Sequence, residues 1–331
     1  MPKADRPAQP MQIHHHAPAD PQPAMFRRLL VPLDGSRLAE AVLPFVSRLA
    51  DVGEASVILL HVIEKDAPTR VHGERHLTNV QEADGYLTQV AGRLAGNERH
   101  VHYHAHEVPV GDVAESIAVH AEEHGIDLII LSTHGEGGIR DVLWGSIAQQ
   151  VLQRCTRPVL LVRARLDDLT PTFAPQTIMV PLDATVACEA ALGPAMALAT
   201  SLNAQLRLVM VVPTADTVSG EQMLTATFLP AATRAVLDVQ GEQAMNYLEC
   251  LAAAFRSKGV PALAEVRRGE TVSELASDTG EHADGLVVVA THGRAGLQAI
   301  WSQSVAARLL KRTRAPILLV PIIESGGAAS S

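Results

Sequence analysis

The feature that most constrains this chain is a long stretch that occurs twice. Leu131–Val162 reads LSTHGEGGIRDVLWGSIAQQVLQRCTRPVLLV, and Val289–Val320 reads VATHGRAGLQAIWSQSVAARLLKRTRAPILLV. The two align without a gap, and Thr-His-Gly, Gly138/Gly296, Ser146/Ser304, Arg154/Arg312 and Pro158/Pro316 recur. A match of that length marks an internal duplication. The first copy opens on DLIILS, an apolar run suited to a strand buried on both faces. A loop with Gly135, Gly137 and Gly138 follows. Gly145-Ser146 opens a helix with apolar residues at Ile147, Val151 and Leu152, and Val159–Val162 is another buried strand. Strand, glycine-rich loop, helix is the order that turns free backbone N–H groups toward an anion. Gly145 leaves the helix start bare of a side chain, and Ser146 adds a hydroxyl.

With 331 residues there is room for two domains, each with its own core. A net charge of −9 and an aromatic content of 3% argue against nucleic acid or an anionic membrane as partner. The basic group Arg308, Lys311, Arg312 and Arg314 reads as a solvated helix face. Cys155, Cys188 and Cys250 lie far apart with no CxxC, which points to a reduced, cytoplasmic chain without disulfide or zinc site. No apolar run reaches membrane-span length, and the N-terminus has no secretory apolar core.

Residues 1–24 hold six prolines and His14-His15-His16 and read as a disordered tail, the histidines as tail composition. Domain 1 is set at 25–165, the linker at 166–176, domain 2 at 177–323, and a disordered Gly/Ala/Ser tail at 324–331. In domain 1, strands are expected at Phe26–Leu33, Ala55–Ile63 and His100–Val108, with helices at Leu38–Asp51, Leu77–Gly96 and Val113–His124. Lys65–Arg75 reads as a loop. In domain 2, strands are expected at Thr177–Leu182, Gln205–Val212, Val260–Val266 and Leu286–Ala290. Thr214–Pro230 reads as a long loop before a helix at Gly241–Lys258. Alternating strands and helices give an α/β fold, a parallel sheet with helices on both faces.

Val31-Pro32-Leu33-Asp34-Gly35-Ser36 corresponds to Val180-Pro181-Leu182-Asp183-Ala184-Thr185. In an open parallel sheet, ligands bind beyond the carboxyl ends of the strands where strand order reverses. Asp34 alone reads as a helix N-cap. Set against the glycine loop across a crevice, it reads as an acceptor for ribose hydroxyls or an adenine amine.

At these residues the chain resembles the universal stress protein family in its tandem form, over nearly all of residues 25–323. The family's nucleotide signature is Gly-x2-Gly-x9-Gly-Ser/Thr. The first repeat has Ser132-x2-Gly135-x9-Gly145-Ser146, with serine in place of the first glycine. The resemblance implies two tandem open-sheet, Rossmann-like (adenine nucleotide alpha hydrolase-like) domains, each with sheet order 3-2-1-4-5. It also implies pairing of the domains through strand five, with a homodimer left open. ATP or a related adenine nucleotide is implied in domain 1. Pro32, Asp34 and Val62 would line the adenosine, and Ser132, His134, Gly135, Gly145, Ser146 and Ile147 the phosphates. The second repeat reads Ala290-x2-Gly293-x9-Gln303-Ser304, with Pro181, Asp183 and Val211 at the adenosine positions. Gln303 replaces the helix-start glycine, so this degenerate site is expected to bind weakly or not at all.

Glu136 and Asp141 lie in the phosphate loop with only Arg140 to offset them, at about 1 kcal/mol for each close like charge near water. Mg2+ with the nucleotide, or fewer phosphates, relieves this. His100, His102, His104 and His106 alternate on one strand and share a face. They read as an edge strand rather than a metal site, because no carboxylate or thiol completes a set in sequence and repeat two has Lys258, Val260, Ala262 and Ala264 there. His134 and His292 read as loop-fixing residues. Ser146 has no evident relay and there is no Gly-x4-Gly-Lys-Ser/Thr, so no catalytic residue is assigned. The expected function is that of a stress-response regulator binding an adenine nucleotide, with a nucleotide-independent scaffold and a slow ATP hydrolase as alternatives.

Overall fold

The apolar runs read from the sequence become strands that are covered on both sides. A computed structural model describes residues 26–64, 70–71, 74–95, 100–108, 112–133, 146–163, 173–218, 221–281, 285–292 and 304–322. The first half runs β1 (Arg28–Pro32), a 3-10 turn at Ala39–Val42, α1 (Leu43–Gly53), β2 (Ser56–Glu64), the short β3 (Arg70–Val71) and β4 (Glu74–Arg75), α2 (Val80–Leu94), β5 (Val101–Val108), α3 (Val113–Glu123), β6 (Leu128–Thr133), α4 (Ser146–Arg154) and β7 (Val159–Arg163). The second runs β8 (Thr177–Pro181), α5 (Val186–Glu189), α6 (Leu192–Leu202), β9 (Gln205–Val212), α7 (Glu221–Phe228), α8 (Pro230–Ser257), β10 (Ala262–Arg268), α9 (Thr271–Glu281), β11 (Leu286–His292), α10 (Val305–Arg312) and β12 (Ile317–Ile322).

Ten strands form one sheet in the order β10-β9-β8-β11-β12-β7-β6-β1-β2-β5. Each half therefore has the expected order 3-2-1-4-5, and the halves meet at their fifth strands. That junction, β7 with β12, is antiparallel, with Leu160 opposite Leu318. These two are equivalent residues of the repeat, so the junction is isologous, the arrangement of a two-fold dimer built within one chain. Successive strand residues face opposite sides. Leu29 and Val31 join one core with Val46 of α1, Leu87 of α2, Leu198 of α6 and Leu248 of α8. Leu30 joins the other with Ile117 of α3, Val151 of α4, Leu275 of α9 and Leu309 of α10. Both cores run through both halves. Phe173, ahead of β8, stacks on Phe45 of α1 at 4.4 Å and ties the halves together outside the sheet.

Three expectations are corrected. Helix α8 starts at Pro230, eleven residues before Gly241, and α7 lies within the stretch read as a loop. Pro230 sits in the first turn, where its missing N–H costs nothing. Val236 and Val239 on α8 are exposed, so that turn of the helix shows no apolar period to read. Arg70–Val71 and Glu74–Arg75 form a small antiparallel pair, Arg70 with Arg75 and Val71 with Glu74. The helix expected from Leu38 begins as a 3-10 turn, and Pro44 sits at the first turn of α1.

Candidate functional site

β1 and β6 lie side by side and parallel, Leu29 opposite Leu128 and Leu30 opposite Ile129. Strand order reverses between them, which is where a ligand crevice forms. Pro32 ends β1 and Ser132-Thr133 ends β6. Pro32 is level with Leu60 of β2, so Val62 lies two residues beyond the end of β1 on the neighbouring strand. The chain leaves β1 in a tight turn. Ser36 N donates to Asp34 Oδ1 at 2.8 Å, and Ser36 Oγ in turn accepts from Ala39 N at 3.1 Å. Ser36 is thus the cap, and Asp34 shapes the turn while half-exposed at the crevice. Gly35 between them has φ +86°, the left-handed region that glycine enters freely. His61, buried behind the turn, donates from Nδ1 to the Leu33 carbonyl at 2.7 Å. A single histidine inside an apolar strand gave no sign of this role in sequence.

Of the phosphate-side residues, Ser132 lies on β6 and Ile147 on α4, where it packs against the core. Ser146 opens α4. His134, Gly135 and Gly145, with Glu136, Arg140 and Asp141, lie outside the described residues, as does the side chain of Ser146.

The equivalent crevice in the second half holds a cavity of about 560 Å³. Its walls include Pro181, Asp183, Val211, Ala290 and Ser304, five of the seven residues expected at the degenerate site. Gly293 and Gln303 lie outside the described residues. Asp183 Oδ1 accepts from Thr185 N at 2.9 Å and Thr185 Oγ1 at 2.6 Å, and Thr185 caps α5. Ala184, where the first half has Gly35, is held at φ +62°. Ser304 caps α10 by accepting from Ala307 N at 3.1 Å, which leaves its hydroxyl hydrogen to donate. Cys188 also lines the cavity. Burial, and then the neighbouring Asp183 carboxylate, push its thiol up to about 12, so it stays protonated and unreactive. Tyr247 on α8 donates to Glu189 at 2.8 Å, and burial followed by that bond raises its hydroxyl pKa. Leu152 and Gln153 of α4 reach across from the first half to complete the wall. That contribution follows from the strand-five junction and is invisible to a motif search within one repeat.

Two open parallel half-sheets, each with a crevice where its strand order reverses, define a tandem Rossmann-like α/β protein. The chain belongs to the universal stress protein family, whose sequence model matches it twice, over residues 25–163 and 175–321. It is 29% identical over 157 residues to a universal stress protein of Methanocaldococcus jannaschii, covering 43% of this chain and 97% of the relative. It is 28% identical over 149 residues to one from Bacillus subtilis, covering 42% of this chain and all of the relative. The crystal structure of a universal stress protein from Archaeoglobus fulgidus shares the fold over 89% of this chain and 96% of its own, with a TM-score of 0.61 at 15% identity. Among the described residues no helix is long and apolar enough to cross a membrane.

Proposed function

We propose that this chain is a stress-response regulator that binds an adenine nucleotide, ATP or a relative, in domain 1. The supporting observation is the adjacency of β1 and β6, which brings Asp34 and Ser132 to one edge of the sheet. Asp34 would accept from the ribose or adenine, Val62 would pack on the base, and the N–H groups freed by Gly135 and Gly145 would hold phosphate, with Mg2+ offsetting Glu136 and Asp141. Domain 2 acts mainly by pairing through β12. The free thiols of Cys155, Cys188 and Cys250 suit a reducing cytoplasm.

Mass spectrometry of the denatured, purified chain tests this. Adenine nucleotide near one per chain is expected, and Gly145→Gln, which copies Gln303 of domain 2, is expected to abolish it with the fold intact. Undiminished affinity in that variant rejects the pocket. A second reading draws on the domain 2 cavity, whose size is that of a small-ligand site. There the cleft would take the adenosine part of a ligand with few phosphates. Nucleotide retained in Gly145→Gln but lost in Asp183→Ala favours this reading over the first.

A further inference from the structure

The histidines of β5 do not stand alone. β5 is an edge strand, and His104 and His106 on it face His120, which is buried on α3. The ring of His120 lies 5.3 Å from that of His104 and 4.7 Å from that of His106, and one ligand atom from each of the three falls within 4.8 Å of the others. His120 was missed in sequence because it lies on the next helix and shares no spacing with the strand. Its Nδ1 is 2.8 Å from the Ser116 carbonyl, which can only accept. Nδ1 therefore carries the proton and Nε2 keeps its lone pair, the fixed tautomer that metal-bound histidines show.

The second half shows what this position otherwise requires. Ile58 is level with His102 and Arg207 with Leu263, while α3 and α9 span equivalent residues. His104, His106 and His120 thus correspond to Glu265, Arg267 and Asp278, not to the Ala262 and Ala264 that a constant offset suggests. There the centre of the cluster is a cation. Arg207 bonds both oxygens of Asp278 at 2.8 Å and also meets Glu265. Domain 1 has Ile58 at that position, and three imidazoles close together where domain 2 has Glu265, Arg267 and Asp278.

The geometry points to a divalent transition-metal site, of the zinc class, held by His104, His106 and His120. Three neutral imidazoles suit Zn2+, Cu2+ or Ni2+ over Mg2+ or Ca2+. Tetrahedral zinc holds its nitrogens about 3.3 Å apart, a contraction the exposed His104 makes by rotating its side chain. Three protein ligands leave one position for water. The ion joins the edge strand to α3 and so stabilises domain 1. His120 also forms a set with Glu123 and His124, but those two are exposed at the end of α3 and at its C-cap, and the set bridges no second strand or helix.

The test is titration of Zn2+, and of Co2+ as its optical stand-in, into the full chain carrying alanine at His14, His15 and His16. One Zn2+ per chain, a tetrahedral Co2+ spectrum and a raised melting temperature are expected without any nucleotide. His104→Ala, at an exposed position, is expected to weaken binding tenfold or more and cancel the thermal rise. His124→Ala is expected to leave both unchanged. Absence of Zn2+ uptake below about 100 µM overturns the site. So does unchanged binding in His104→Ala, or loss in His124→Ala alone.

Discussion

Replacing Asp278 with asparagine should unfold domain 2 far more readily than its small change of volume suggests. The carboxylate is 1% exposed and bonds Arg207, itself 5% exposed, through both oxygens at 2.8 Å; Arg267 reaches it at 2.5 Å. Glu265 also meets Arg207 and lies 3.9 Å from Arg267. Among the described residues, two guanidinium groups thus share these two carboxylates. Asparagine removes one negative charge and leaves two cations facing Glu265, which is 39% exposed and partly screened by water. Breaking a buried pair from one side costs about 3–5 kcal/mol. For a domain of this length that corresponds to a melting shift of roughly 6–20 °C. Urea unfolding followed by circular dichroism measures it. The double variant Arg207→Leu with Asp278→Leu removes both charges and should recover most of the loss, since an apolar pair of similar volume is often neutral or better. A single-variant loss under about 1 kcal/mol, or a double variant no better than the sum of its singles, refutes the reasoning.

The turn after strand one gives opposite signs in the two halves. Gly35→Ala should lose about 2 kcal/mol or more, because a Cβ there falls 2.9 Å from Leu77 at φ +86°. Ala184→Gly should instead gain about 0.5 kcal/mol by relieving φ +62°, and a loss in thermal melting contradicts the strain. Glu270 is held down to about 2 by the Ser273 hydroxyl first, and then by the Ser273 amide, Arg308 and the Val272 amide. Its folded pKa lies below the ordinary 4.5, so its stabilisation is complete above about pH 4.5 and fades as pH falls toward about 2. The gap in urea midpoint between wild type and Glu270→Gln should close over that window; a constant gap refutes the assignment. Lys311→Gln should weaken nucleotide binding in domain 1, as measured by calorimetry. Lys311 is the repeat equivalent of Gln153, which lines the opposite crevice across the two-fold junction.

The duplicated stretch and the continuous apolar runs made the sheet legible before any coordinates. β9 falls on the residues expected, because an apolar run flanked by polar residues leaves little choice of ends. Helix α8 was half hidden, since its first turns expose Val236 and Val239 and carry no period. That β1 and β6 are neighbours, with Asp34 just past the end of one and Ser132 near the end of the other, agrees with the strand order that the family resemblance implies. What escaped were contacts made across elements. His61 holds the turn from the next strand, His120 completes the histidine set from a helix, and Leu152 and Gln153 close the other domain's cleft. No spacing rule along one strand reports a neighbour brought in by the fold.

The two halves keep one backbone and differ at the points where it is least comfortable. Where strand one turns, domain 1 uses glycine and domain 2 strains an alanine. Where strand three meets the third helix, domain 1 gathers imidazoles and domain 2 two arginines with two acids. At the helix start after strand four, domain 1 has Gly145 and domain 2 has Gln303. Across the junction, Gln153 faces the crevice of domain 2 and Lys311 stands at the symmetric position. In sequence, domain 1 thus pairs Gly145 with Lys311 as the repeat equivalent of Gln153, while domain 2 pairs Gln303 with Gln153. On the reading proposed above both differences favour an anion in domain 1, whereas the loop sequence opposes it, with Glu136 and Asp141 where domain 2 has Arg294 and Ala299.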